Sequence, residues 1–589
     1  MNWFVIVLAL LILLSMSAGC AAPAASNLTA EYHDGQVFLK WDETPGLQGR
    51  LAVRMSDKPI TADNVAQAAV VADYLNPGSA NDWWLNEETY GKPVAVDAAT
   101  GQKPAPPHEG FVIKPGAAKL NPDSGLHVHT VAEGEPTKAY YAVTTKDETG
   151  KESLEVVAGQ NSLAQPVSQQ VAAVQPIWQM GGAADVAAGT GKPMHLVLHA
   201  KTGRGTMEYL VFGDKSLGWR EGLPFKFGVK VTGDYVMVTP TDRTWIGRMF
   251  PEGKDLCQKL TPAIHSFWYG YNDHIYDPAQ MAQGTVVNYT ERRLLWIMDW
   301  VRKTYQTDPN RTYAYGSSMG GCGDIDVCLR HPEIFAAIRA HVPIVAYDKG
   351  AGGDSEMRVV AETGGMDLKT NEGQTVRDRL DGTKFVREYK GDLPYLVITN
   401  GRQDGSIPWW KNPDFYRTMR DARQGMIAAW DEGAHDTCGK ELPSDVKCFD
   451  NMRNFHRLFA LNQSYVALSN CSLDSNPGSG DRKDGDLVGF MGRGFTWEPP
   501  VDEAGKYEVL IKWVLEPEKL PVTVDVTPRR LQAFKLKAGD KVTAVNVDAE
   551  GKEVQRETLV ADECGLVTWK GFRVTSAGGN KMELRIAGG

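Results

Sequence analysis

The sequence predicts a doubly wound, mostly parallel α/β sheet flanked by an N-terminal and a C-terminal β-sandwich. Three observations carry that expectation. The chain has 589 residues, too many for one hydrophobic core. Between residues 177 and 462, short apolar runs alternate with segments of helical period. Across 27–160 and again across 464–589, apolar residues recur at every second position between turn signals.

The formal net charge of −10 is spread along the chain without a basic block or stripe. Phosphate binding needs clustered Lys and Arg, so nucleic acid is excluded as a partner class. At the N-terminus, Phe4 to Leu14 is an unbroken apolar run followed by small residues and Cys20. The run is too short to span a bilayer, which takes about 20 residues. Ending in Ala-Gly-Cys, residues 1–20 resemble a bacterial lipoprotein signal. That resemblance implies export, with Cys20 lipidated and the membrane touched only through that anchor. Two features depart from the motif: no Lys or Arg precedes the run, and Ser17 stands where leucine is usual. The remaining cysteines are Cys257, Cys322, Cys328, Cys438, Cys448, Cys471 and Cys564, an odd number with no zinc-like spacing. No metal and no cofactor are expected.

In the first β-rich segment, "GQVFLKWDE" puts Val37, Leu39 and Trp41 on one face, and "AYYAVTTKDETGKES" supplies a late strand and a turn at Gly150. The early-strand tryptophan and the "YYAVT" strand resemble a fibronectin type III module over about 27–160. The polar stretch 159–175 reads as a linker. Beyond it, "MHLVLHA", "YVMVTP", "TYAYG", "FAAIRAHVPIV", "LPYLVITNG" and "GMIAAWDEG" are strand candidates. "NYTERRLLWIMDWVRKTY" is an amphipathic helix, with Leu294, Ile297, Met298, Val301 and Tyr305 on its apolar face and Asn288 and Glu291 as a capping box. A second helix starts near Gly320 and must stop before Pro332. In the last segment, Tyr507, Val509, Ile511 and Trp513 alternate, as do Val522, Val524 and Val526. The loop "SLDSNPGSGDRKDGDLVG" carries Asp474, Asp481, Asp484 and Asp486, but its spacing misses the EF-hand pattern, so a solvated turn is expected.

Chemistry concentrates at "TYAYGSSMGG", where Gly316-Ser317-Ser318-Met319-Gly320 fits G-x-S-x-G. In that pattern the central serine sits on a strained strand-to-helix turn, and the glycines let neighbouring backbone approach. Ser318 is therefore the candidate nucleophile, with Met319 N–H at the helix start facing a developing oxyanion. A serine needs a base, and His435 in "AAWDEGAHDTCG" follows the last strand at the same sheet edge. Asp404 in "NGRQDG" follows the preceding strand and is preferred to Asp348 as the orienting acid. The order Ser318, Asp404, His435 is that of α/β-hydrolases. His331 reads as a capping residue at a helix end before Pro332, His456 as a packing or surface residue on a helix, and Asp436 as structural. The loop after "MHLVLHA" should supply a second oxyanion donor, the backbone of Lys201 or Thr202.

Together, "YGSSMGG" and "HPEIFAAI" are similar to the polyhydroxybutyrate depolymerase and feruloyl esterase-like branch of the α/β-hydrolase superfamily, over about 177–462. The resemblance implies ester hydrolysis through an acyl-enzyme without a cofactor. Accessory β-modules in such enzymes point to an ester-bearing polysaccharide or oligosaccharide, with feruloyl or acetyl groups as the leading expectation. A serine peptidase, a polyester depolymerase and a non-catalytic carbohydrate-binding lipoprotein are the alternatives. Trp409 and Trp410 beside Asp404, with Trp268, Tyr269 and Tyr271 in "HSFWYGYNDH", are candidates to stack on sugar or aryl groups. Cys438 has two candidate disulfide partners, Cys448 and Cys322.

Overall fold

The computed structural model describes residues 23–81, 109–181, 194–199, 207–212, 224–232, 235–245, 263–275, 277, 279–347, 355–439 and 458–586. The chain divides into two compact units: Met1–Asn81 with Asn121–Ala173, and Asp82–Leu120 with Val174–Gly589.

In the first unit, strands Ala25–His33, Gln36–Glu43 and Ser124–Thr130 form one antiparallel sheet. Ala69–Leu75, Arg50–Ser56, Lys138–Lys146 and Glu152–Ser153 form a second. Val37, Leu39 and Trp41 enter a shared core with Val53, Tyr141 and Val143, as their alternation requires. Gly125 is needed opposite Trp41, because a Cβ there would fall 1.8 Å from the indole. Residues 159–169 are not a linker. Asn161 Nδ2 donates to Val143 O at 2.9 Å, Ser162 Oγ donates to Ile60 O at 2.8 Å, and Val167–Ser168 pairs with Lys138–Ala139. Their polar side chains satisfy buried backbone groups, which composition alone cannot distinguish from a solvated tether.

His127 is fully buried in this unit, and neither ring nitrogen has a hydrogen-bond partner. Desolvation, with His129 nearby, pushes its pKa down to about 3. A histidine with a depressed folded pKa contributes full stability above its unfolded value near 6.5, and that contribution is lost as pH falls toward the folded value. His127→Leu is therefore expected to gain about 2 kcal/mol relative to the parent on going from pH 7.5 to pH 5. Denaturant titrations of both proteins at the two pH values check this; an equal difference at both would remove His127 as the cause.

The second unit is built on a ten-stranded sheet. Its strands, in chain order, are β1 Ile177–Gly181, β2 His195–His199, β3 Met207–Phe212, β4 Pro224–Val231, β5 Tyr235–Pro240, β6 Thr312–Ser317, β7 Ala337–His341, β8 Tyr395–Gly401, β9 Met426–Asp431 and β10 Gly489–Met491. The spatial order is β10-β9-β8-β7-β6-β2-β5-β4-β3-β1. Strands β5 through β9 around β2 and β6 are parallel, while β1, β3, β4 and the edge strand β10 pair antiparallel. This is an α/β-hydrolase-type sheet, with β6 near its centre.

Successive residues of each central strand serve opposite faces. Leu196, Leu198, Ala314, Ile338 and Ile398 meet Leu294, Ile297, Met298 and Val301 of helix α1 (Tyr289–Tyr305). The same core takes in Ile325 of α2 (Met319–Asp326), Val386 of α3 (Gly382–Glu388) and Phe415 of α4 (Asn412–Asp421). The other face presents Val197, Tyr313, Tyr395, Val397 and Ile427. Helices were expected there too. Among the described residues that face is instead covered by strands of the C-terminal segment, through Tyr465, Trp497, Tyr507 and Val509. Arg530 reinforces the join, donating to Ala336 O and Ala460 O at 3.2 Å. The C-terminal strands form a sheet of Tyr465–Ser469, Val522–Arg529 and Trp569–Val574, and a larger sheet that includes Lys506–Trp513 and Lys541–Val547.

The capping box at α1 takes another form. The Asn288 side chain accepts no backbone N–H; its Nδ2 donates to Glu291 Oε2 at 3.0 Å. Burial alone would raise the Glu291 carboxyl, but its pairs with Arg379 and His331 outweigh that and hold it down at about 2. A three-way charge network around the buried Glu291 and Arg379 stands in place of the local cap.

Candidate active site

Strand β6 delivers the chain into α2 through Ser318, whose φ of 57° and ψ of −120° lie where non-glycine residues are strained by about 1–3 kcal/mol. The strain is held in place from several sides. Ser318 N–H donates to His341 O at 2.9 Å, and Cys322 N–H donates to Ser318 O at 2.9 Å. Gly316 has no room for a side chain, since a Cβ would lie 2.3 Å from Gly320 C and O. Gly321 and Gly323 are similarly required by His341 O and the Trp268 ring, each 2.7 Å from the Cβ position. The consequence is a half-buried serine at the carboxyl edge of the sheet, with Met319 at the first helical position. Such N–H groups have no intrahelical acceptor and are free to face a developing negative charge.

Three side chains meet at this edge. His435 Nε2 lies 2.7 Å from Ser318 Oγ, and His435 Nδ1 lies 2.8 Å from Asp404 Oδ2. Asp404 is buried, and its Oδ1 accepts from Ser406 N at 2.7 Å and Ile407 N at 2.9 Å. These bonds leave Oδ2 aimed at the imidazole. The hydrogen bond to Asp404 is the main cause raising His435 above its usual pKa, against an opposing desolvation and with smaller help from Asp436. His435 is 26% exposed, open enough to meet a substrate. The arrangement is suited to acyl transfer: Ser318 Oγ is placed to attack a carbonyl, Nε2 to take its proton and return it to a leaving group, and Asp404 to orient the ring.

The base must be neutral to act, so kcat/KM is expected to fall as pH drops through a value above 6.5. An acid limb centred well below 6.5 in a kcat/KM–pH profile would contradict this assignment.

Other expected site residues fare differently. Trp268, Tyr269 and Trp409 are no more than 2% exposed and cannot stack on a substrate. Trp409 packs against Tyr416 and Trp430 in the helical core. Tyr269 donates to Glu372 and sits under the Arg379 guanidinium. Trp268, at φ 62° with Phe267 at 48°, donates Nε1 to Met319 O at 2.8 Å and packs against Gly323. It braces the nucleophile turn rather than the ligand. Tyr271, also buried, packs against Tyr289 with its ring tilted, centroids 4.8 Å apart. Trp410 alone of the set keeps partial exposure, with Lys411 Nζ 4.2 Å from its ring. Lys201, Thr202, Asp348, His456 and Cys20 lie outside the described residues. Cys438 and Cys322 are free buried thiols and do not pair with each other, and Cys448 lies outside the described residues. The Asp431 carboxylate accepts from Gly433 N at 2.9 Å and Gly439 N at 2.8 Å and ties the histidine loop to β9. His331 caps the C-terminus of the short helix Cys328–Arg330, its N–H donating to Cys328 O, and its ring bonds Glu291 and Glu333.

Fold and triad together define a serine hydrolase of the α/β-hydrolase type. A family model described as the prolyl oligopeptidase family matches residues 290–440, the stretch that contains Ser318, Asp404 and His435. None of the curated proteins matches the chain. Among solved structures it is similar to an S-formylglutathione hydrolase from Agrobacterium tumefaciens, at 14% identity over 55% of this chain and 96% of that one, with a TM-score of 0.27. A ferulic acid esterase aligns at 15% identity over 42% and 79% of the two chains, TM-score 0.24. The acylaminoacyl peptidase of Pyrococcus horikoshii aligns at 14% identity, TM-score 0.28, over 59% of this chain and 54% of its own length.

Proposed function

We propose that the protein is an exported serine esterase that removes carboxylic acyl groups, feruloyl or acetyl, from polysaccharide or oligosaccharide. The observation that carries the reaction type is the continuous Ser318–His435–Asp404 hydrogen-bonded chain at a strained elbow. An alkoxide leaving group takes its proton from His435 Nε2, and water then repeats the attack on the acyl-enzyme. Met319 N–H is one oxyanion donor, and the loop after β2, with Lys201 and Thr202, is the source proposed for the second. The partly exposed Trp410 is the remaining aromatic that could meet a sugar or aryl group. Strand order in the first unit supports a fibronectin type III-like module as the accessory domain. Residues 1–20 support export, with any membrane contact made through lipid on Cys20.

A second reading, a serine peptidase, is favoured by the family match over 290–440. Feruloyl, acetyl, hydroxyalkanoate and peptide substrates offered to one preparation separate these. Ester turnover with inert peptides supports the first reading; peptide cleavage at higher kcat/KM replaces it with the second. Polymer binding with no turnover of any substrate would leave a binding module instead.

A further inference from the structure

Two residues before the catalytic acid, the Arg402 side chain is wholly buried. Its guanidinium is met chiefly by main chain: Nη1 donates to Asp486 O at 2.8 Å, and Nη2 donates to Asp484 O at 2.9 Å and to Arg482 O. Glu432 stands 3.4 Å from Nε. These carbonyls belong to the acidic stretch expected to be a solvated turn. Its carboxylates are spent on the loop's own backbone, Asp484 accepting from Ser479 N, Asp486 from Asn476 N and Asp474 from Gly492 N, at 2.7–2.9 Å. They shape a ring of carbonyls around a cation that the chain itself supplies. No cluster able to hold a metal occurs among the described residues.

The loop also reaches back. Arg482 Nη2 donates to the main-chain oxygen of Asp404 at 2.7 Å. Trp430 Nε1 donates to Asp486 O at 2.7 Å, Gly480 (φ 108°) lies against Trp410 O with no space for a Cβ, and the chain then enters β10 alongside β9. The acid-bearing loop 402–407 is thus held from outside the catalytic strands by residues 474–491.

We propose that this C-terminal loop is a positioning device for the triad: Arg482, by binding Asp404 O, and Arg402, by filling the carbonyl ring, set the angle at which Asp404 meets His435. Main-chain rotation at residue 404 would swing Oδ2 off Nδ1, and an offset near 1 Å in a catalytic group costs up to about 100-fold.

The test uses full-length protein and the rate at which a fluorophosphonate labels Ser318, a readout that does not depend on the substrate assignment. Arg482→Ala, which leaves the core intact, is expected to slow labelling and kcat about 10-fold to 100-fold at unchanged KM. The charged groups acting on His435 are Asp404 and Asp436; Arg482 reaches Asp404 through its main-chain oxygen, and Arg402 pairs with Glu432 beside it. Weakened contact with Asp404 moves the acid limb of the labelling profile to lower pH, whereas removal of one positive charge alone would move it higher. Arg482→Lys should restore most of the rate, because an ammonium can still donate to one carbonyl. Arg402→Lys should not behave as the parent, because lysine lacks the fork that spans several acceptors. Labelling rates within twofold of the parent in Arg482→Ala, or a limb displaced upward, would overturn the inference. A parent protein that takes no label would overturn the triad reading with it.

Discussion

Replacing Ser318 by alanine is expected to abolish turnover of every substrate the parent cleaves, a loss on the order of a million-fold in kcat. Two independent geometric facts lead there: Ser318 Oγ lies 2.7 Å from His435 Nε2 at the head of α2, and its backbone is strained to present it. Alanine removes the nucleophile without adding volume, so the melting temperature should hold within a few degrees. Fluorophosphonate labelling followed by mass spectrometry gives a direct check, with the adduct expected on Ser318 of the parent and absent from the variant. An adduct on Ser317 would move the nucleophile by one residue and break the elbow argument.

The second large effect is expected from Asp404→Asn. The amide keeps the shape and still accepts from Ser406 N and Ile407 N through Oδ1. Its Nδ2 would then face His435 Nδ1, which must become an acceptor, placing the ring proton on Nε2 where it cannot receive one from Ser318. A fall of about ten-thousand-fold in kcat is expected. Because Asp404 is the leading cause of the raised His435 pKa, the acid limb should also move down. Activity of the variant within tenfold of the parent, with the limb unmoved, would point to another acid.

The site was legible where chemistry is local. G-x-S-x-G between a strand and a helix is fixed by sterics within five residues, and the observed Gly316–Gly320 approach is that constraint seen from the structure. Asp404 and His435 were legible because each follows its strand at the sheet edge that parallel strands share. The aromatics misled because composition reports ring content without burial. Trp268 and Trp409 look alike in sequence to a stacking residue, yet they fill the space beside Gly323 and below β9.

What the sequence alone determined, then, is the period of each strand, the strained elbow and the order of the three catalytic residues. Tertiary structure decided what covers the second face of the sheet and what holds the acid. Arg482 meets Asp404 across 78 residues of chain, and Arg402 is enclosed by carbonyls that no side-chain pattern encodes. Backbone acceptors are the same at every residue, so only the folded path of the chain determines which of them surround a buried cation.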